Sequence, residues 1–468
     1  MFSSRYRKGL TAVTLAGLFV FAWLAVAILS SGPRVRFLSF TNDPNSTSSM
    51  KGELATFVFD RPIQSSDYSD LVRITPDINH SVRTDRQSVS IVFNQNLRPD
   101  TEYTVELSPG VESESGKRLS EAYAETFITP RASYAYVTRN YPANYFSAEK
   151  ASDNALDSLT VGGINGPERV IFEHPTIIDF DANSTHAVVS VQEAETDLLY
   201  VVDIASSESK PVHLGLDVRI SYIRVPAEGN RALYRIVPNP ETTSDEIFKQ
   251  HVNRVESLDL ESLEAAPLRD ASGDYLRTFV LDVDDTGSIA LVQDNELDFY
   301  AVSPYSDFEP VLLGNRNSML HFSGDGRGIL FRDTDDIVRY DLSVFEDQPL
   351  QIETSGGFIL AAEETDSGLY YALQSAENGV VTDTVYLQDD GDTRKVWSTD
   401  DRSDGARFNS FSLSIGSSLV VIETRPLDCL YDNVSTNSSC PGTRSIVLDI
   451  ERGQTVHEVE GIGFTWLP

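Results

Sequence analysis

Basic residues are scarce in this chain of 468 residues. Lys and Arg number 37 against 71 Asp and Glu, and the formal net charge is −34 at pH 7. Such a charge repels nucleic-acid phosphates and anionic membrane surfaces, so we exclude nucleic acid as a partner. The excess of acid is typical of a solvated, self-repelling surface, with divalent cations or a basic partner as the alternative interpretation.

Cysteine is rarer still. Cys429 and Cys440 are the only two, and both lie in the segment LDCLYDNVSTNSSCPG. The Asn, Ser and Asp residues between them are typical of a polar loop between strands, which a disulfide would cross-link in an oxidising compartment. A two-ligand metal site is the alternative, but zinc takes four ligands and no histidine lies nearby. The sequence therefore favours a Cys429–Cys440 disulfide.

One long apolar run occurs, at the N-terminus. Residues 9–29, GLTAVTLAGLFVFAWLAVAIL, carry no charge and follow Arg5, Arg7 and Lys8. At about 1.5 Å per residue they match a hydrocarbon core of about 30 Å, so residues 1–30 are predicted to form a cytoplasmic tip and a transmembrane signal anchor. A cleaved signal peptide, with a shorter apolar region, is the alternative. The basic flank predicts a single-pass protein of the cell membrane whose bulk is extracytoplasmic.

Residues 31–130 consist of short alternating segments separated by turns. Alternation places Val89, Ile91 and Phe93 on one face of a strand, and six or seven such strands in about 100 residues predict a β-sandwich. The segments LATFVFDRPI, VRITPD and LRPDTEYTVELSPGVESESGKRLSEAYAETFIT resemble the bacterial Ig-like domain of surface-layer and other surface proteins. The resemblance implies a spacer or adhesion module outside the membrane, without catalytic residues.

Residues 131–468 repeat one pattern. Each unit has an apolar strand, a turn of small or acidic residues, a second apolar strand, a polar stretch and a strand that often ends in Asp. The step between units is about 46 residues, close to a four-stranded propeller blade. The sequence predicts an all-β propeller of seven blades, with six or eight as alternatives because one step is long. The turns centre on Ser184, Gly229, Gly287, Gly326, Gly368 and Gly416.

The final octet, GIGFTWLP, has the pattern of a first strand whose companions are missing. The segments between residues 132 and 175 show the complementary pattern, because they predict the later strands of a unit that lacks its first strand. We therefore predict that residues 461–467 pair antiparallel with residues 132–137, and that Trp466 packs between two blades. Closure of this kind removes the open sheet edges of an incomplete ring.

The segment HFSGDGRGILFRD, residues 321–333, and the closing FTWLP resemble the TolB-type propeller repeat. In that repeat an aromatic strand leads to an SPDG turn and a second apolar strand, and here Gly324 stands in place of the proline. The resemblance implies a protein-interaction platform in the cell envelope.

Sequence motifs for catalysis are missing. The seven histidines are scattered singly, without an HExxH pair, and there is neither a GxSxG nucleophile elbow nor a phosphate-binding loop. The favoured interpretation is a binding or scaffold protein for an envelope protein or glycan, and not an enzyme. The alternatives are a glycan-acting enzyme that uses carboxylates at the channel mouth, about 5 to 9.5 Å apart, and a structural surface-layer component.

Two acidic turns have the alternate spacing of a calcium loop. Asp179, Asp181 and Asn183 lie in DFDANST, and Asp282 and Asp284 lie in DVDDTG. Both segments lack the distal acidic ligand, and both coincide with repeat turns, where Asp, Asn and Gly serve turn geometry alone. Turn geometry is thus the first interpretation and calcium the second, and no other cofactor is predicted.

Overall fold

The chain divides into two compact units, Met1–Pro130 and Arg131–Pro468. All that follows concerns the residues that the computed structural model describes. These are 32–42, 52, 54–95, 97–140, 156–193, 196–270, 272–304, 309–324, 326–352, 357–365, 367–389, 391–401, 405–414, 417–427 and 440–467.

The first unit is a β-sandwich. Its sheets have the orders β1-β2-β5-β4 and β3-β6-β7, and Phe57, Phe59, Val89, Ile91 and Phe93 are fully buried in one core that both sheets share. The alternation predicted from the sequence is confirmed, because every second residue of these strands faces that core. The strands are β1 (Val35–Phe40), β2 (Leu54–Phe59), β3 (Val72–Thr75), β4 (His80–Asp85), β5 (Ser88–Phe93), β6 (Glu102–Leu107) and β7 (Tyr123–Ile128), with a 3-10 turn at Ser69–Leu71.

The second unit has seven antiparallel sheets of four strands each. The first strands of successive sheets contact one another, and apolar clusters fill the spaces between sheets. This arrangement is a seven-bladed propeller. Its first three blades, each from the innermost to the outermost strand, are blade 1, β35 (Ile462–Leu467), β8 (Ser133–Thr138), β9 (Asp157–Gly163) and β10 (Glu168–His174); blade 2, β11 (Ile177–Ala182), β12 (His186–Glu193), β13 (Thr196–Asp203) and β14 (Ser209–Val212); and blade 3, β15 (Val218–Arg224), β16 (Arg231–Pro238), β17 (Arg254–Asp259) and β18 (Ala265–Pro267).

The other four blades follow in chain order. They are blade 4, β19 (Leu281–Val283), β20 (Ala290–Gln293), β21 (Asp298–Val302) and β22 (Val311–Asn315); blade 5, β23 (Ser318–Phe322), β24 (Gly328–Asp333), β25 (Asp336–Asp341) and β26 (Glu346–Leu350); blade 6, β27 (Phe358–Thr365), β28 (Gly368–Glu377), β29 (Val380–Asp389) and β30 (Asp392–Ser398), followed by a 3-10 turn at Thr399–Asp401; and blade 7, β31 (Arg407–Leu413), β32 (Leu419–Arg425), β33 (Arg444–Asp449) and β34 (Gln454–Glu460).

The predicted ring closure is confirmed. Strand β35 pairs antiparallel with β8, with Trp466 opposite Tyr134 and Leu467 opposite Ser133. The Trp466 indole packs in an apolar cluster that blades 1 and 7 share, and its Nε1–H donates to the Ser412 carbonyl of blade 7 at 3.3 Å. The C-terminal strand therefore joins the first blade to the last.

The long step between Gly229 and Gly287 contains an insertion in blade 3, not an eighth blade. A seven-residue helix, α1 (Asp245–His251), interrupts the connection from β16 to β17. Ser244 caps it, accepting the Ile247 N–H at 3.4 Å, which is the usual role of serine at a helix start. A helix of seven residues is too short to show an apolar periodicity, so the sequence analysis did not predict this helix.

The same buried hydrogen bond to an aspartate joins each of three blades to the next blade. An aspartate at the start of the third strand, or three residues into it, accepts a backbone N–H of the next blade's first strand. The donors are Ile177 to Asp157 at 3.0 Å, Ile220 to Asp197 at 2.7 Å and Phe408 to Asp383 at 3.1 Å. Each carboxylate also pairs with an arginine, namely Arg139, Arg219 and Arg407 in the same order.

The predicted fold class was wrong to include an N-terminal transmembrane helix. Within the described part of the chain no helix is long and apolar enough to cross a membrane. The α-helix found there, α1, is about 10 Å long at 1.5 Å per residue, a third of the hydrocarbon thickness. Residues 9–29 lie outside the described residues. The fold class is therefore all-β, with an Ig-like sandwich and a propeller.

The pairing of Cys429 with Cys440 remains a prediction, because only one of the two cysteines lies in the described residues. Cys440 is fully buried and disulfide-bonded, while Cys429 lies outside the described residues. We expect no reactive thiol in denatured, unreduced protein and two after reduction, measured with a thiol reagent. A loop this short stabilises the fold by about 3 kcal/mol at most. Two free thiols before reduction would contradict the pairing.

Candidate functional site

The innermost strands carry one residue each at the same register position. Each of these seven residues is one of the last three residues of its first strand, and each is half-buried. We call them the channel ring. In blade order they are Trp466, Asp181, Arg224, Asp282, His321, Glu363 and Ser412, opposite Tyr134, Val188, Leu233, Leu291, Leu330, Tyr370 and Val421 of the second strands.

The ring lies near one face of the propeller. Because the strands of a blade alternate in direction, the turns between first and second strands and those between third and fourth strands share one end of the ring. We call this end the hairpin face. The opposite end carries the turns between second and third strands, including α1.

Arg224 and Asp282 form the strongest contact of the ring. The Arg224 Nε donates to the Asp282 carboxylate at 2.9 Å, across blades 3 and 4. Burial alone would lower the pKa of Arg224, but Asp282, Asp181 and Asp179 outweigh it and raise that pKa. The guanidinium is thus a fixed cation among carboxylates from the two neighbouring blades, 2 and 4.

Asp181 is tied to the backbone of the neighbouring blade. Its two carboxylate oxygens accept the N–H of Ala182 at 2.9 Å and the N–H of Val225 at 2.8 Å. Burial raises the pKa of Asp181 to about 6, although Arg224 and both N–H donors act in the opposite direction. Desolvation is therefore the dominant influence on this carboxyl.

His321 and Glu363 form the second charged pair of the ring. Burial lowers the pKa of His321, but Glu363, Asp282 and Asp285 raise it, and the net direction is upward. Burial raises the pKa of Glu363 to about 7. The Glu363 carboxylate also accepts the Leu413 N–H of blade 7 at 3.2 Å. The Glu363 carboxyl therefore titrates close to neutral pH.

The remaining two positions, Ser412 and Trp466, are uncharged. The ring is consequently charged over blades 2 to 6 and neutral over blades 7 and 1. Counted with Asp285 of the adjacent turn, the ring has four carboxyl groups against one guanidinium, that of Arg224, and one imidazole, that of His321. A ligand that presents a cationic group from the hairpin face would meet a favourable potential here.

The residues considered as calcium candidates have hydrogen-bond partners within the fold. Asp179 accepts the N–H of Phe180 at 3.0 Å and Asp284 accepts that of Ile289 at 2.7 Å. Asn183 accepts the N–H groups of Thr185 and His186 across its turn. Over the described ranges, no three His, Cys, Asp or Glu side chains are placed to hold a metal ion.

Sequence reasoning missed the channel ring as a unit. It named Asp181 and Asp282 as calcium candidates but gave no role to Arg224 or Glu363, and it interpreted His321 as structural. One signal was present, since Arg224, Asp282, His321 and Glu363 each stand five residues before the glycine of the repeat turn. Their chemical types differ so widely that only the strand register shows them to be equivalent.

The raised pKa of Glu363 predicts a pH dependence. A carboxyl whose pKa is about 7 in the fold and 4.5 ordinarily binds its proton more tightly in the folded state, so the free energy of unfolding falls as pH rises from about 4.5 to 7. Glu363→Gln should remove that part of the slope and raise stability at pH 8 by about 1 to 2 kcal/mol, after allowance for solvent screening. Denaturant unfolding at pH 5 and pH 8 measures it, and equal slopes in both proteins would contradict it.

The comparisons with known proteins divide along the two units. Residues 32–129 match the family model of the bacterial Ig-like domain, a match that does not single out a surface-layer type. No curated protein matches the chain.

Solved structures resemble the chain only distantly. TolB from Acinetobacter baumannii is 14% identical, with 87% of this chain and 86% of that chain covered and a TM-score of 0.39. A putative TolB from Agrobacterium tumefaciens is 13% identical, with coverages of 71% and 90% and a TM-score of 0.34. Acylaminoacyl peptidase from Pyrococcus horikoshii is 15% identical, with coverages of 67% and 51% and a TM-score of 0.42.

These likenesses are too distant to assign an activity or a partner. The propeller is identified by its own strand topology, and the bacterial Ig-like family is assigned to residues 32–129.

Proposed function

We propose that this chain is an extracytoplasmic binding protein of the cell envelope, whose propeller holds a protein or glycan partner over the hairpin face. The channel ring carries this proposal, because buried and half-buried charges from five blades converge where propellers offer a concave surface. Charged groups are costly to hold away from water. A ligand that supplies a cationic group would offset that cost at Asp181, Asp282 and Glu363.

Two features support the proposed location. The first unit matches a bacterial Ig-like domain, and Cys440 is disulfide-bonded, which is typical of an oxidising compartment. The net charge of −34 argues for a partner with a basic surface, since like charges would slow association.

The test is capture of partners from the native envelope by the purified chain. The double variant Asp181→Asn/Glu363→Gln removes up to two negative charges from the ring without changing side-chain shape. We expect it to lose most of the captured material, because the cationic group loses its counter-charges. Glu296→Gln/Asp335→Asn is the matched control, since it removes two exposed charges from the opposite face. Equal capture by both variants would contradict the proposal.

A catalytic role is the second candidate, and Glu363 is the observation in its favour. A carboxyl with a pKa of about 7 is partly protonated at neutral pH, as the general acid of glycoside cleavage must be. Release of reducing ends from envelope polysaccharide, lost in Glu363→Gln, would support an enzyme. Capture without any such release would favour the binding role.

A further inference from the structure

Four blades share one conformation in the turn between their third and fourth strands. In each, an aspartate carbonyl accepts the N–H of the residue four positions later, and that residue has a left-handed backbone. The four acceptors are Asp203, Asp259, Asp341 and Asp449, at 2.8, 2.9, 2.8 and 2.8 Å. The left-handed residues are Ser207, Leu263, Phe345 and Gly453, with φ of 61°, 60°, 59° and 61°.

Phe345 is the least suitable residue for this position. Glycine adopts the left-handed region freely, whereas a bulky side chain there is a genuine outlier. At the equivalent place in blade 3, Leu263 packs against an apolar core cluster. Phe345 is 56% exposed and Val344 beside it is 55% exposed. Among the described residues, Phe345 belongs to no core cluster, so no burial of its side chain offsets the cost of the left-handed backbone. This indicates a contact with another molecule.

Ionised groups surround this exposed pair. The Ser343 side chain and N–H hold the pKa of Asp341 at about 2, well below its usual range. Glu346 and Asp347 follow directly in β26, and Asp347 lies 2.8 Å from Arg316. Asp341 lies 3.2 Å from Arg339, so the three carboxylates around the apolar tip outnumber the two arginines paired with them, and Glu346 supplies the excess negative charge. Together with the net charge of −34, this excess disfavours a second copy of the same chain.

The turn also lies on the hairpin face, the same end of the propeller as the channel ring. A single partner over this face can therefore meet both. Exposed aromatic residues that enter an apolar pocket, with charges at the rim, are the usual anchors of protein interfaces. A membrane surface fits poorly, because the surround repels anionic headgroups.

We propose that Val344 and Phe345 anchor a partner protein that offers an apolar pocket with a basic rim. This inference rests on the proposed function and narrows its partner, a protein or glycan, to a protein. Phe345 fills the pocket, and Asp341, Glu346 and Asp347 face the basic rim.

The first experiment separates a docking role from a structural one. Phe345→Asn suits the left-handed position, because Asn tolerates it, and should leave the Tm at or above that of the wild-type chain. Leu263→Asn, the matched change in blade 3, should lower the Tm because it removes an apolar side chain from a core cluster. A fall in Tm as large for Phe345→Asn as for Leu263→Asn would show that Phe345 serves the fold and overturn the proposal.

The second experiment identifies the occupant. The photoreactive residue p-benzoylphenylalanine replaces Phe345 in the full chain, in the native envelope, and replaces Val380 on the opposite face as the control. We expect one protein to be crosslinked from position 345 and not from 380. Its yield should fall at least tenfold with Val344→Ser and fall again at high salt, since rim charges are screened. Crosslinks to lipid, to a second copy, or to nothing would overturn the proposal.

The ring variant separates this inference from the proposed function. If Asp181→Asn/Glu363→Gln leaves the crosslink at 345 intact, the role of the channel ring fails and the anchor stands. If the ring variant abolishes capture while capture by Phe345→Asn is unchanged, the anchor fails and the ring stands.

Discussion

A chain that ends at Glu460 should fail to form a cooperative propeller. The missing strand β35 supplies Ile462 and Leu467 to a core cluster between blades 1 and 2, and Phe464 and Trp466 to the cluster between blades 1 and 7. Aromatic truncations in cores cost about 3 to 5 kcal/mol each, and single-domain stabilities are about 5 to 15 kcal/mol. Loss of the strand is therefore expected to cost as much as the whole free energy of unfolding. It also exposes the sheet edges of blade 1.

Thermal unfolding followed by near-ultraviolet circular dichroism measures this result. Trp466→Ala keeps the strand and should lower the free energy of unfolding by about 3 kcal/mol, since its indole packs on the facing blade. Val380→Ala removes an exposed apolar side chain and serves as control, with a change within about 0.5 kcal/mol. Deletion of residues 35–128 should leave the propeller transition in place, because the sandwich has its own core. A chain ending at Glu460 that melts like the complete propeller would contradict ring closure as the source of stability.

Asp157→Ala should destabilise the propeller by about 3 to 5 kcal/mol, because it breaks a buried ion pair from one side. The carboxylate accepts the N–H of Ile177 at 3.0 Å and that of Asn140 at 3.1 Å. It also pairs at 3.2 Å with Arg139, and the two side chains are 5% and 6% exposed. The substitution leaves a buried cation without its counter-charge and a buried N–H without its acceptor.

Denaturant unfolding with a constant m-value measures the loss. Asp335→Ala, in an exposed turn, is the matched control and should change the free energy of unfolding by less than about 0.5 kcal/mol. The double variant Arg139→Met/Asp157→Leu should recover much of the loss, because apolar residues of similar size satisfy a buried site without desolvating charge. A double variant less stable than Asp157→Ala would show that the pair contributes through its charge after all.

The sequence by itself determined the architecture of both units. Alternation at Val89, Ile91 and Phe93 marked the sandwich, because a strand of period two faces a core with every second residue. The recurrence of turns near Gly287, Gly326 and Gly368 marked the blades, since each blade repeats one local pattern. The terminal segment around Trp466 even predicted ring closure, because an incomplete set of strands at each end needs the other.

Only the tertiary structure decided which side chains act together. The channel ring joins Arg224, His321 and Glu363 from strands about 40 to 140 residues apart, and no local pattern links an arginine, a histidine and a glutamate. The same holds for Asp157 and Ile177, whose bond depends on the placement of neighbouring blades. Phe345 reveals its strained backbone only through its φ of 59°, since a residue's identity does not report its backbone dihedral. Local periodicity records which face of a strand is buried, whereas contacts between blades depend on how separate strands are placed in the ring, and that information is not local.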